Sequence, residues 1–197
     1  MKMKVYGSHP SPFVRRTKML LMSLGLEFEF VPLNIYDMGA DRSILATLGP
    51  IKKIPVLQNG DVILSDSKLI YHYLMNLKSA QSFDLESEKM LLTIDAANDA
   101  FVNLVLPKRS GIDVSEDKMY FNLQRERISD TLKFLNQACL DGKFEDWNYC
   151  AICLYCLVDW IDFRELHDLA PFEGLLSFKQ NAAKRADVID TDPRKFV

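Results

Sequence analysis

The sequence is short of the residues that would tie it to a special environment. Four cysteines among 197 residues, none before Cys139, form no framework of paired spacings, which excludes a small disulfide-stapled fold and points to a reducing compartment. Neither sign of charge is in excess. Lys and Arg total 24 against 27 Asp and Glu, a formal net charge of -3, and the two signs are interspersed, so a sequence-wide nucleic-acid footprint is excluded. The basic cluster Arg15, Arg16 and Lys18 is too small to change that. The longest apolar run, near Tyr149 to Val158, falls short of the roughly 20 residues that a membrane span needs. Met19 to Leu26 after Arg15 mimics a signal peptide, but it starts late and runs into Glu27 without a small-residue cleavage pattern. These absences predict a cytoplasmic protein with neither nucleic acid nor membrane as partner.

What remains is an ordinary globular composition, 48% hydrophobic and 26% charged, and its organising stretch runs from Gly49 to Leu74. Two β-like runs, Ile54 to Gln58 and Asp61 to Ser65, flank Asn59-Gly60, a pair suited to a type I′ hairpin turn. Ser65-Asp66-Ser67 then opens a helix whose apolar stripe is Ile70, Tyr71, Leu74 and Leu77. Pro55 is the odd residue, since a proline beside a strand removes a ladder donor. A cis Ile54-Pro55 bond would turn the Ile54 peptide outward, ready to pair with an extended ligand.

Upstream, Met3 to Tyr6 reads as a strand and Ser11 caps a helix with Pro12 at its first position. Phe13, Thr17, Leu20, Leu21 and Leu24 form one face of that helix, and Gly25 stops it. Glu27 to Leu33 completes a β-α-β unit with parallel strands. Within Asn34 to Leu48, Asp41 is a candidate cap for a short helix. This order predicts a thioredoxin-like domain over 1–78, in which the turn before the first helix and the proline before the third strand lie side by side. Residues 79–84 form a polar linker. An all-helical domain follows over 85–197, with helices from Leu85 to Leu106 (ended by Pro107), from about Ser115 to an end at Asp141-Gly142, from Trp147 to about Phe163, and within Phe172 to Arg185. The tail from Asp187 reads as extended.

Ser11-Pro12-Phe13-x-x-Arg16, the run Pro50-x-x-x-Ile54-Pro55-Val56-Leu57, Asp66-Ser67 before an apolar helix, and Asp162-Phe163-Arg164 closing the buried helix together resemble the cytosolic glutathione S-transferase family. The match spans nearly the whole chain and looks most like its serine-type and small bacterial members. The resemblance implies a homodimeric transferase that takes glutathione as co-substrate and adds its thiolate to a small electrophilic molecule in detoxification, or uses it in a related thiol-dependent reduction. It implies Ser11 at the glutathione sulfur, with Ser8 as rival in the same loop. It places Lys53 and the Ile54-Pro55 segment along the glycyl and cysteinyl parts of the peptide, and Asp66 and Ser67 at its γ-glutamyl end. Two positions depart from the family pattern: Gly49 stands for an asparagine, and Ala151 for an acidic residue, with Asn148 as the cap instead. Relatives that have lost catalysis act as regulatory binding proteins, as the stringent starvation protein does, and this is the alternative function.

The chemistry suits these residue types. A free thiol titrates near pH 8.5, so a transferase must favour the thiolate. A helix N-terminus contributes about 0.3–1 kcal/mol to an anion, and a hydroxyl donor adds a charge-assisted bond. Capping uses one acceptor site of the Ser11 hydroxyl and leaves its proton available, so both tasks fit one side chain. Asp66 and Ser67 combine capping with binding in the same way. His9 reads as a solvated loop residue, and Lys53, taken by itself, as a solvated charge. Cys150, Cys153 and Cys156 mimic a metal or iron–sulfur set, with Cys139 as fourth ligand. Spacings of three along an apolar helix drift around its face, however, so they read as buried small hydrophobes and no metal is expected. Phe101, Val105, Lys108, Arg109 and Tyr120 are candidates for an acceptor pocket.

Overall fold

The structure, a computed structural model, describes residues 2–36, 39–80 and 83–196. Its contacts divide the chain into one unit of Met1–Ser82 with Ala183–Val197 and a second of Phe83–Ala182.

The first unit is built on a four-stranded sheet: β1 (Met3–Gly7), β2 (Phe28–Pro32), β3 (Val56–Asn59) and β4 (Val62–Ser65), in spatial order β2-β1-β3-β4. β1 and β2 are parallel, with Val5 opposite Phe30, and helix α1 (Pro12–Ser23) is the crossover between them. β1 and β3 are antiparallel, with Val5 opposite Leu57, and both residues are fully buried. This is the predicted thioredoxin-like order. Pro32 ends β2 at the edge of the sheet, where a missing N–H costs no ladder bond.

The hairpin differs from expectation by one residue. Asn59 pairs with Val62, so the two-residue loop is Gly60-Asp61, and of these only Gly60 has positive φ, at 60°. That is the pattern of a type II′ turn, which needs glycine at its first position only. Asn59 is free to extend β3 and donates Nδ2 to the Tyr73 hydroxyl at 2.8 Å.

Helix α1 is buried almost all round, including Arg15, Arg16 and Lys18. It packs on β1, on α3 (Ser67–Leu77) and on α8 (Ala186–Asp190), so the single apolar face predicted for it covers only part of what it buries. Gly7 allows the approach of α1 to β1, because a Cβ there would clash with Val14 Cγ2. On α3, Ile70, Tyr71 and Leu74 are buried as predicted, whereas Leu77 is exposed. The short helix α2 (Ala40–Thr47) begins after Gly39. Asp41 lies in its first turn and accepts a hydrogen bond from the Asn34 N–H at 2.6 Å instead of capping it. The tail expected to be extended instead forms α8 and a short 3-10 turn, Pro193–Lys195, which Asp192 caps through the Arg194 N–H at 3.0 Å.

The second unit is helical: α4 (Leu85–Arg109), α5 (Met119–Leu140), α6 (Tyr149–Phe163) and α7 (Glu173–Ala182). α4 runs through Pro107 instead of ending before it. The proline sits in the last turn, and its carbonyl accepts from Ser110 N at 2.9 Å and Ile112 N at 3.0 Å, so the turn closes around it. By length and composition α4 could cross a membrane; one face of it, with Leu91, Ile94, Ala97 and Phe101, is buried and packs on α5 and α6, while Leu85, Leu92 and Leu106 are exposed. α5 starts four residues later than predicted because Ser115 bonds to the Asp113 carboxylate and Arg125 holds the carbonyls of Val114 and Glu116 outside the helix. α6 is buried over Tyr149 to Ile161, and Asn148 caps it as expected, accepting from Ala151 N at 3.1 Å.

Candidate functional site

The sheet topology gathers the predicted residues at one end of the first unit. β1 leaves the sheet at Gly7 and leads to Ser8 and Ser11, whereas β3 enters it at Val56 directly after Ile54 and Pro55. β4 leaves it at Ser65, which pairs with Val56, and leads to Asp66 and Ser67. Strand direction alone therefore brings three segments distant in sequence to the same end of the sheet.

Ser11 caps α1 with extended backbone, φ -79° and ψ 124°, and its Oγ accepts from the Val14 N–H at 3.3 Å. Among the described residues its hydroxyl proton has no acceptor. The Ser11 N–H in turn donates to the Ser8 carbonyl at 3.2 Å, so the two candidate serines close a single turn.

The Ile54-Pro55 bond is cis, as anticipated. The Ile54 side chain packs against the cluster of Leu33, Leu45 and Val56, while among the described residues its N–H and C=O make no hydrogen bond. An apolar side chain held inward with an unpaired peptide is the geometry that an extended ligand can use as one more strand. Lys53 is exposed beside it. Gly49 has φ 140°, a conformation that suits glycine, and this is a physical reason for the departure noted at that position.

Asp66 has φ 84° and ψ 126°, unusual for a residue with a Cβ, and its carboxylate accepts from the N–H groups of Lys68 at 2.8 Å and Leu69 at 3.0 Å. Ser67 is 1% exposed, and its Oγ accepts from Arg16 Nε at 2.9 Å and Nη2 at 2.6 Å. The Ser67 oxygen thus accepts from Arg16, and the start of α3 presents its backbone with the exposed Asp66 carboxylate at the same end of the sheet.

Two features escaped the sequence reading. Arg16 was part of a motif without a role, and it is a buried tie between α1 and α3. The only signal for it was a charged residue inside an apolar helix. His9 is partly buried: it lies against Phe30 and Phe196, its Nδ1 is buried and has no hydrogen-bond partner among the described residues, and burial followed by the nearby Lys18 charge holds its pKa below the usual value. Lys18 itself is pushed down to about 8, first by burial and then by Arg15. Cys139 and Cys150 are pushed up to about 12, mainly by burial, and are inert as thiols at neutral pH. Among the described residues no group of three or more His, Cys, Asp or Glu is placed to hold a metal ion.

A mixed four-stranded thioredoxin-like sheet with its helices, followed by a helical unit, is the glutathione S-transferase fold. Residues 1–76 match the family model of the glutathione S-transferase N-terminal domain. Over 98% of this chain and 100% of the relative, the sequence is 32% identical to the uncharacterized GST-like protein YibF of Escherichia coli. It is 29% identical to glutathione S-transferase 4 of Zea mays over 86% of this chain and 74% of that one. Solved glutathione S-transferases from Methylobacillus flagellatus, with GSH bound, and Pseudomonas fluorescens, with bound glutathione, superpose with TM-scores of 0.83 and 0.79 at 21% and 20% identity. They cover 98% of this chain and 100% and 99% of their own. The chain belongs to the glutathione S-transferase family.

Proposed function

We propose that this protein binds glutathione at one end of the sheet of its first unit and activates the thiol for addition to a small electrophile or for a related thiol-dependent reduction. The observation that carries the reading is the unpaired Ile54 peptide at the end of the sheet that also holds Ser11 and Asp66. The cysteinyl backbone of the tripeptide pairs with Ile54 as an added strand. Its γ-glutamyl ammonium meets the Asp66 carboxylate, its γ-glutamyl carboxylate meets the backbone at the start of α3, and Lys53 takes the glycyl carboxylate. The sulfur then points at the N-terminus of α1.

There the Ser11 proton, which has no acceptor among the described residues, donates to the sulfur while its oxygen continues to cap Val14. Both this bond and the helix terminus favour thiolate over thiol. The thiol proton leaves to solvent, and the sulfur lone pair forms the new bond to the electrophilic carbon. The displaced pair departs with a leaving group or takes up a proton. Glutathione S-transferase structures with the peptide bound support this reading by analogy of fold. A glutathione domain over 1–78, a helical domain from residue 85 and a cytoplasmic homodimer complete the proposal.

Retention on immobilised glutathione, with release by the free peptide, tests binding. Thiolate absorbance of the bound peptide then compares Ser11→Ala with Ser8→Ala. The expected result is loss of thiolate in the first variant and its survival in the second. No retention would favour a regulatory protein without catalysis.

A further inference from the structure

The last described residues of the chain finish on the loop that carries Ser8 and Ser11. Arg15 fastens this tail, donating Nε to Thr191 Oγ1 at 3.1 Å and Nη2 to the Val188 carbonyl at 3.0 Å. Beyond the 3-10 turn, Phe196 lies face to face with His9, their centroids 3.9 Å apart and their planes at 17°. The other side of His9 meets Phe30 of β2 at 4.6 Å and 66°, edge to face. Lys18 Nζ lies 4.6 Å from the Phe30 centroid and 5.5 Å from that of Phe196, so a buried ammonium rests against both aromatic faces. Within the tail, Asp187 pairs with Arg185 and Asp192 with Arg194.

We propose that Phe196 is a positioning residue: stacked on His9, it holds the Ser8-to-Ser11 turn, and with it the Ser11 hydroxyl, in the geometry used at the thiol. His9 sits between Ser8 and Pro10, inside the turn closed by the Ser11 N–H on the Ser8 carbonyl. Pro10 has a fixed φ and restricts the backbone of His9 before it, so the turn offers the ring few positions besides the one stacked on Phe196. Phe30 of β2 and Lys18 of α1 belong to the sheet and its crossover helix, whereas Phe196 reaches the ring from the tail. Phe196 is 48% exposed, so its removal opens the loop without emptying the core. The hold on the turn stands by itself, and its consequence for the thiol rests on the function proposed above.

Phe196→Ala and Phe196→Tyr in the full chain test this by amide hydrogen exchange. The Ser11 amide should exchange about tenfold faster in Phe196→Ala, by local opening, and near the wild-type rate in Phe196→Tyr. The His9 resonance, one of three histidines, should lose its ring-current shift and titrate closer to the usual histidine value in the alanine variant only. With glutathione bound, the titration midpoint of the thiol should move up and kcat fall several-fold while the KM for glutathione stays nearly unchanged. An unaltered Ser11 exchange rate in Phe196→Ala overturns the hold, whether or not the protein binds glutathione. Faster exchange with an unchanged thiol titration overturns the link to the sulfur. A wild-type protein that binds no glutathione at all defeats the proposed function and, with it, that link, while the exchange result still decides the hold.

Discussion

Arg16 on α1 and Ser67 at the start of α3 are joined by two hydrogen bonds to one oxygen, from Nε at 2.9 Å and Nη2 at 2.6 Å, with both residues 2% exposed or less. The pair ties the helix that begins at Ser11 to the helix that begins at Asp66. The two halves of the candidate site are therefore fixed to each other beneath the surface.

Breaking this tie is expected to be costly from either side. Arg16→Met strips a buried hydroxyl of its donors and should cost about 2–4 kcal/mol, and Ser67→Ala, which leaves a buried guanidinium short of an acceptor, about 1–3 kcal/mol. In a double-mutant cycle read by urea melts, the two losses should overlap by more than about 1 kcal/mol. Strict additivity would mean that the bonds contribute nothing specific.

Asp66 combines a cap with a positive φ, and substitutions separate the two. Asp66→Asn keeps an acceptor for Lys68 and Leu69 and should change stability by no more than about 0.5 kcal/mol. Asp66→Ala loses the cap but keeps a Cβ at φ 84°, and should cost about 1–2 kcal/mol, more than Asp66→Gly, which relieves the backbone. If the alanine variant proves more stable than the glycine one, the backbone at this position is not strained. Under the proposed function the asparagine variant also binds glutathione more weakly, since the ammonium loses its counter-charge.

At Gly7 the packing of β1 on α1 leaves no room for a methyl group. Gly7→Ala should cost about 1–3 kcal/mol by overpacking, with part of the loss recovered when Val14→Ala is added. Thermal melts of the two single variants and the double variant measure this directly. A double variant no better than the sum of its parts would place the clash elsewhere.

The buried thiols give a pH dependence whose sign is fixed. Cys139 and Cys150 ionise in the folded protein only near pH 12, whereas in the unfolded chain they do so at ordinary thiol values. Above the unfolded value the unfolded chain sheds protons that the folded one keeps, so stability falls as pH rises from about 9 toward 12. Cys150→Ala should flatten that alkaline decline. Alkylation at pH 8 should be slow in the native protein and reach all four cysteines only after unfolding; rapid native labelling of Cys150 would contradict its burial.

Much of this was legible locally. Ser11 with Pro12, and Asn148 ahead of the apolar run of α6, are caps whose partners lie within three residues, so the sequence contains the whole interaction. The same holds for the glycine turn of the hairpin, apart from the one-residue register, which the pairing of β3 with β4 decided. The departures fall where a local signal met a partner, near or distant, that the signal does not record. Pro107 signals a stop, yet its carbonyl is used by Ser110 and Ile112. Ser115 offers a helix start, yet Arg125 in the next turns holds its neighbours. Lys18 and His9 resemble surface residues until the tail, far along the chain, returns to cover them.

The sequence by itself determined most element types before the tail, the caps at Ser11, Asp66 and Asn148 and the residue kinds at the candidate site, because hydrophobic period, turn chemistry and capping act over a few residues. Which of those residues meet was decided by the tertiary structure. Strand order brought the segments around Ser11, Ile54 and Asp66 to one end of the sheet, α1 brought Arg16 onto Ser67, and the returning tail set Phe196 against His9. Such contacts join positions tens to nearly two hundred residues apart, and no periodicity in a single chain records which distant surface will come to fill a given space.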